Sequence, residues 1–224
     1  MNTRLKHANL ESVQPEVVHI NFEYAMHSAV TNKFPNATIS CCRFHLGQIW
    51  WRKIQSLGPS VEYKNKCSDV SKWLIHFFAL AFLSTDEIEE CFVELIADEK
   101  CMKFADYILE TYIDGNSRFP PIFWAAPPDP EAKRTTNGPE SFHAHLNEQF
   151  YACHPSIFVF VDVLLQLQTT SYIKMRTLYS KAPVRKNEKE KIDFVVEQYT
   201  KHTNGELSTV DFVRSVGYKY IVGC

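Results

Sequence analysis

The fold is decided by residues 17–57, VVHINFEYAMHSAVTNKFPNATISCCRFHLGQIWWRKIQSL. Residues 17–20 (VVHI) form a β-branched run that is typical of a short strand, and the apolar residues after Asn21 recur at helical spacing. A Pro-Asn pair ends that helix, and residues 37–41 (ATISC) predict a second strand before an amphipathic helix over residues 43–57. The order β-α-β-α is typical of a parallel sheet.

The core predicted by this order extends over residues 17–65. The segments that follow it are predicted to contain helices and no further strands. Residues 66–113 predict a helical insertion, in which Ser84 and Glu87 have the spacing of a capping box. Residues 114–138 are rich in proline, so we expect a connection without regular structure. This connection separates the insertion from the C-terminal part of the chain.

The C-terminal part predicts further helices. Residues 139–170 begin with a proline that suits the first turn of a helix, and the apolar run Ile157–Tyr179 predicts a long, half-buried helix. Asp162 within that run argues against membrane insertion. Residues 171–224 predict a helical, charged tail, and residues 1–16 a polar leader. We therefore expect an α/β chain that is mostly helical overall.

The composition limits the classes of protein to which this chain can belong. The chain has 224 residues, of which 45% are hydrophobic, and this suffices for a buried core. A net charge of -2 gives no electrostatic case for nucleic acid, and the apolar run Trp73–Leu83 is too short to span a bilayer. The leader lacks a secretory signal and the cysteines number seven. We therefore expect reduced thiols in a nuclear or cytoplasmic protein that is not secreted and has no membrane partner.

Two segments carry a family resemblance: residues 20–48 (INFEYAMHSAVTNKFPNATISCCRFHLGQ) and, after the helical block, residues 134–164 (RTTNGPESFHAHLNEQFYACHPSIFVFVDVL). In this order they resemble the Mutator-like (MULE) transposases, whose catalytic domain has a DDE, ribonuclease H-like core. The resemblance covers residues 17–170. It implies a partial ribonuclease H-like core that retains about two strands and is interrupted by a large helical insertion.

The chemistry implied by this resemblance is DNA transposition, in which metal-dependent cleavage of phosphodiester bonds is followed by strand transfer. In such enzymes three carboxylates hold two Mg²⁺ or Mn²⁺ ions about 4 Å apart, and these ions clamp the attacking and leaving oxygens. The implied partner is DNA, with room for a homo-oligomer. No small-molecule substrate is expected.

Asn21 stands where the family has its second metal-binding aspartate. An amide keeps the shape of the carboxylate but has no charge, and Mg²⁺ prefers anionic oxygen ligands, so metal affinity should fall. The first aspartate of the family belongs to a strand upstream of residue 17, where this sequence has no aspartate. Alternatively, Asn21 caps the helix that begins beside it.

Glu140 matches the third carboxylate of the family, and the resemblance makes it the expected metal ligand. His143 lies three residues further on, on the same helix face, and is a candidate for contact with the metal or the scissile phosphate. The alternatives are a Glu140 that only interacts with the helix dipole and a His143 that is an ordinary surface residue.

Cys42 and His45 match a Cys-x-x-His motif that lies near the active site in the family. Their spacing places them on one face of a helix. They could instead be half of a zinc site, for which the remaining donors are Cys41, Cys67, His143, His145, Cys153 and His154. These donors include no second pair with finger-like spacing, so zinc is not expected.

The same helix also contains basic and aromatic side chains. Arg43, Arg52 and Lys53 are candidates for contacts with DNA phosphates, although a solvated helix edge would have the same pattern. Trp50 and Trp51 fit the core face of the helix.

Together these residues predict a transposon-derived, MULE transposase-like fragment that is catalytically inactive. Mg²⁺ or Mn²⁺, which an intact relative would bind, should be held poorly here. Two alternatives stay open. Either the sequence is a truncated version of an active transposase, or the chain is a domesticated module that binds DNA or protein.

Overall fold

The computed structural model describes residues 14–65, 68–97, 101–129, 137–152, 154–177 and 186–219. The chain divides into two compact units. The main unit comprises residues 1–135 and 191–224, and the inserted unit comprises residues 136–190. The described residues are mostly helical, with a two-stranded parallel sheet. Within these ranges, no helix combines the length and the apolar content needed to cross a membrane.

The predicted β-α-β order is confirmed. β1 (Val17–Ile20) and β2 (Thr38–Cys41) pair in parallel, and α1 (Tyr24–Lys33) connects them. Two parallel strands need a crossover connection, and α1 provides it. The register sets Ile20 beside Cys41, so both strands end at the same edge of the sheet.

α2 (Arg43–Leu57) has the predicted bounds. Its core face includes Trp50, which is fully buried, while Trp51 is half-buried with its ring centroid 4.8 Å from that of Tyr63. Gly58 follows the helix with a φ of 102°, a left-handed conformation that glycine adopts without steric cost. The prediction that both tryptophans belong to the core face is confirmed.

The helical insertion contains α3 (Ser60–Lys64), α4 (Asp69–Ala79), α5 (Ile88–Ile96) and α6 (Met102–Ile108). Short 3-10 turns at Leu80–Phe82 and Thr85–Glu87 and a π-helical turn at Leu109–Ile113 complete it. The predicted capping box is present, since the Glu87 carboxylate accepts a hydrogen bond from the Ser84 backbone N–H at 3.1 Å. Aromatic rings meet edge to face in its core, for example Phe77 and Phe104 at 5.4 Å.

The proline-rich segment, which is described as far as Asp129, contributes Phe119, Trp124 and Ala125 to the core. A connection without regular structure was predicted there. The segment forms a 3-10 turn at Pro121–Phe123, and Trp124 beside it is fully buried. The indole N–H of Trp124 donates to the carbonyl of Phe119 at 2.9 Å. Burial of this large ring, with its one polar atom paired, gives the segment a fixed place in the main unit.

The C-terminal part ends in two helices, α9 (Lys186–Thr203) and α10 (Thr209–Gly217). The prediction of a charged tail is wrong for α10, because this helix packs against α4 and α5. A Cβ atom at Gly217 would lie 2.9 Å from the carbonyl oxygen of Ile75, so the absence of a side chain permits the close approach. The buried apolar side chains of α10 are Val210, Phe212, Val213 and Val216.

The inserted unit contains α7 (Asn137–Glu148) and α8 (Ile157–Thr177). The ring of Phe150, just after α7, stacks on Phe160 of α8 with centroids 5.8 Å apart. None of the described side chains of this unit is buried. The long helix predicted to be half-buried is therefore mostly exposed, because two helices can cover each other along one line only.

Candidate functional site

The ends of β1 and β2 bring together two residues that the sequence singled out. Ile20 is paired with Cys41, and Asn21 and Cys42 follow them directly. The backbone N–H of Cys42 donates to the carbonyl of Ile20 at 3.1 Å. The carboxyl edge of parallel strands is the usual ligand-binding edge of open α/β sheets. We therefore take this edge as the candidate site.

Asn21 is held in place by α1 without capping it. The N-cap position of α1 is Glu23, so the interpretation of Asn21 as the helix cap is wrong. Instead, the backbone carbonyl of Asn21 accepts a hydrogen bond from Nε2 of His27 at 3.0 Å. Between strand and helix, the Phe22 ring packs edge-on against Phe119 at 5.3 Å. This packing anchors the residues that separate Asn21 from the helix.

His27 is a residue of the site that the sequence analysis missed. It is buried, with its ring centroid 5.1 Å from those of Phe119 and Phe123. A carbonyl can only accept, so the bond to Asn21 places the ring proton on Nε2. Burial lowers the pKa of His27, although the hydrogen bond to Asn21 opposes that change. The ring is therefore a neutral imidazole of fixed tautomer at neutral pH.

The two cysteines at the end of β2 are buried, free thiols. Burial raises the pKa of Cys41 to about 12, and the neighbouring Cys42 adds to the effect. Because the thiolate is the nucleophilic and metal-binding form, the raised pKa disfavours both roles for Cys41 at neutral pH. Cys42 occupies the N-cap position of α2, and His45 lies half-buried in the first turn of that helix.

Arg43, a predicted DNA contact, binds the protein itself. Its Nη2 donates to the carbonyls of Ala126 and Pro127, the second at 3.5 Å. Its guanidinium carbon lies 4.3 Å from the centroid of the Phe82 ring, within the range of a cation–π contact. These contacts tie the proline-rich segment to the start of α2.

The other two predicted DNA contacts lie further along α2. Arg52 is exposed. The ammonium of Lys53 lies 4.5 Å from the centroid of the Tyr107 ring. The charged end of Lys53 therefore contacts an aromatic ring of the protein itself.

A pocket of about 500 Å³ opens beside Phe22, the residue after Asn21. One wall is the π-helical turn, a feature that is frequent at functional sites. The hydroxyl oxygens of Tyr107 and Tyr112 are 3.2 Å apart, and burial raises the pKa of both phenols. The pocket is lined by Phe22, Ile49, Tyr107, Glu110, Thr111, Tyr112, Arg118 and Phe119. It escaped the sequence analysis because these residues come from four separate segments.

Glu140 and His143 belong to the inserted unit. Both lie on α7, but their side chains fall outside the described part of the structure. Of the zinc candidates, Cys67 and Cys153 also lie outside the described residues, and His145 is exposed. Among the side chains that are described, no three histidines, cysteines or carboxylates are grouped as metal ligands would be.

Comparison of the chain with known protein families, with curated proteins and with solved structures gives no significant match. Around the carboxyl edge of the strand pair, Asn21 offers an amide, Cys41 a protonated thiol and His27 a neutral imidazole. Such groups can donate and accept hydrogen bonds, but they give the edge no anionic ligand.

Proposed function

We propose that the chain is a MULE transposase-like domain that no longer catalyses phosphodiester cleavage or strand transfer. The sequence resemblance over residues 17–170 supports the ancestry. The parallel order of β1, α1, β2 and α2 is compatible with two neighbouring strands of a ribonuclease H-like core. In this proposal the helices from α3 to α6 are the insertion that interrupts the core.

The position of Asn21 is the observation that carries the loss of activity. It follows β1 at the carboxyl edge of the strand pair, where the family would have a metal-binding aspartate. An amide there brings no charge, and Mg²⁺ gives up its waters reluctantly without anionic ligands. His27 and Cys41 beside it do not supply the missing charge. Because Asn21, His27 and Cys41 carry no negative charge, we infer that this edge would hold a pair of catalytic Mg²⁺ or Mn²⁺ ions poorly.

The proposal makes Glu140 a remnant of the ancestral site without a catalytic role. Its place in the first turn of α7 suits a carboxylate for a second reason, because the positive end of the helix dipole stabilises a negative charge. Glu140 can therefore persist without any contribution to chemistry. Removal of Glu140 is the sharpest test of inactivity.

The test is a nicking assay with supercoiled plasmid, Mn²⁺ and the purified full chain. We expect no Mn²⁺-dependent nicking by the wild-type protein or by Glu140→Ala. Glu148→Ala, at the other end of α7, is the matched control. Urea unfolding of all three proteins would show that they are folded. Nicking that Glu140→Ala abolishes and Glu148→Ala leaves intact would overturn the proposal.

Metal binding at the edge gives a second test. We expect Mn²⁺ to leave the NMR signals of Asn21 and Cys42 sharp in the wild-type protein, because neither the Asn21 amide nor the Cys41 thiol is anionic at neutral pH. Asn21→Asp should increase paramagnetic broadening of these signals, while Asn21→Ala should not. Selective broadening in the wild-type protein at low Mn²⁺ would show a competent metal site and contradict the proposal.

A further inference from the structure

The pocket beside Phe22 has aromatic inner walls. Tyr112 and Phe119 are both buried, and their nearly parallel rings have centroids 6.1 Å apart. Phe22 is half-buried and stands edge-on to both rings, at 5.9 Å from Tyr112 and 5.3 Å from Phe119. Ile49 of α2 adds an aliphatic wall. Because aromatic rings pack favourably edge-on or offset against one another, these walls suit a ligand with an aromatic ring.

The π-helical turn at Leu109–Ile113 shapes another wall of the pocket. Three consecutive residues of this turn, Glu110, Thr111 and Tyr112, all line the same cavity. In an α-helix the first and third of three consecutive residues point about 200° apart, so they would seldom face one small cavity. The irregular turn therefore gathers a carboxylate, a hydroxyl and an aromatic ring around the pocket.

Two opposite charges lie at the mouth of the pocket. Glu110 and Arg118 both line it, and both are exposed, whereas the aromatic walls lie deeper. The guanidinium carbon of Arg118 is 4.9 Å from the centroid of the Tyr24 ring and 5.6 Å from that of Phe119. Among the side chains that the structure describes, neither Glu110 nor Arg118 has an ion-pair partner. The two charges thus face the same cavity without neutralising each other.

These features define the chemistry of a matching ligand. A ring would enter the aromatic interior, a carboxylate would pair with Arg118, and an ammonium would pair with Glu110. An aromatic acid without an ammonium would place its negative charge near Glu110, and an aromatic amine would place its positive charge near Arg118. Both would therefore be disfavoured relative to a zwitterion. The volume of about 500 Å³ is in the range of sites for small molecules.

We propose that the pocket beside Phe22 binds a free aromatic α-amino acid. The aromatic ring of the ligand lies against Phe22 and Phe119. Its carboxylate accepts hydrogen bonds from the guanidinium of Arg118, and its ammonium donates to the carboxylate of Glu110. The pocket lies in the main unit, and this proposal requires no transposase ancestry. Its outcome is therefore independent of the function proposed above.

The first experiment is an NMR titration of the full chain with L-phenylalanine at neutral pH. We expect shifts of the backbone amide signals of Thr111 and Phe119, with a dissociation constant on the order of 1 mM for a ligand of this size. Hydrocinnamate lacks only the ammonium, phenethylamine lacks only the carboxylate, and L-leucine lacks the ring. Each should bind at least about tenfold more weakly. Absence of L-phenylalanine binding, or equal binding of any of the other three, would overturn the proposal.

Charge removal at the mouth tests the role of each residue. Glu110→Gln should weaken L-phenylalanine binding about tenfold and leave hydrocinnamate binding no weaker than in the wild-type protein. Arg118→Gln should weaken L-phenylalanine binding to a similar extent and leave phenethylamine binding no weaker. Glu89→Gln on α5 and Arg176→Gln on α8 are matched controls at exposed positions, and both should bind as the wild-type protein does. If the pocket variants bind L-phenylalanine as tightly as these controls, the proposal is wrong.

Discussion

α4 and α8 are both apolar helices, but their surroundings differ. α4 buries seven of its eleven residues against α3, α5 and α10. α8 is 21 residues long, and none of its described side chains is buried. An apolar helix needs another element to cover its apolar side chains. The order and packing of the elements decide whether the same chain provides that element. The main unit supplies it for α4 from distant segments, whereas within the inserted unit α8 meets α7 along one line.

The largest difference expected between the two units is in how far the free energy of unfolding falls when a phenylalanine ring is removed. Phe212→Ala in α10 empties a fully buried position, so the free energy of unfolding should fall by about 3–5 kcal/mol. Phe142→Ala in α7 changes a side chain that is 45% exposed and should cost under about 1 kcal/mol. Urea unfolding measures both. Equal losses would mean that the inserted unit has a core of its own.

A smaller effect is expected from two glycine substitutions. Gly217→Ala sets a methyl group against the backbone of Ile75 and should destabilise the main unit by about 1–3 kcal/mol. Gly115→Ala is the control, because a methyl group there meets no atom within 4 Å. It should be neutral or stabilise the protein by about 0.4–1 kcal/mol through a less flexible unfolded chain. Thermal unfolding gives both values, and a neutral Gly217→Ala would contradict the close packing of α10 on α4.

The smallest effect concerns the link between α9 and the helical insertion. His202 Nε2 lies 2.5 Å from Glu87 Oε1. Burial alone would raise the pKa of Glu87, but hydrogen bonds from Ser84 and His202 outweigh it and lower that pKa. A carboxylate whose pKa is lower in the folded protein stabilises the folded state at pH values above its pKa in the unfolded chain, which is about 4.3. This stabilisation is lost as the pH falls through the pKa of the carboxyl in the folded protein.

Glu87→Gln should therefore reduce the free energy of unfolding by about 1 kcal/mol at pH 7. The difference from the wild-type protein should shrink below about pH 4.3, where the unfolded carboxyl becomes protonated. Glu89→Gln, exposed on α5, controls for the loss of charge. Urea unfolding over this pH range checks the prediction, and a difference that grew at low pH would contradict it.

Local patterns predicted the strand pair and α2 correctly. The β-branched run at residues 17–20, the Pro-Asn break and the amphipathic spacing of residues 43–57 need no distant partner. The place of α10 was not predicted, although Val210, Val213 and Val216 have helical spacing. Charged residues before and between them suggested a solvated tail. The burial of α10 depends on α4, which is remote in sequence and leaves no local mark near Val210.

The candidate site could be predicted in part, again from local patterns. Asn21 and Cys42 each follow a predicted strand, and parallel strands bring their carboxyl ends to one edge. His27 was overlooked, although it lies three residues before the buried Val30, a spacing that places both on one face of α1. The pocket beside Phe22 could not be predicted, because it depends on how the π-helical turn packs against that ring.

The packing of α10 against α4 also affects how the chain folds during its synthesis. α4 leaves the ribosome long before α10 is synthesised, and the whole inserted unit emerges between them. Throughout that interval the nascent chain exposes the α4 surface that α10 will cover, and then the apolar residues of α8 as well. Contacts between such distant segments form slowly, and exposed apolar surface favours aggregation. We therefore expect the main unit to complete its core only after translation has passed α10, and the nascent chain to be a strong client of chaperones that bind apolar segments.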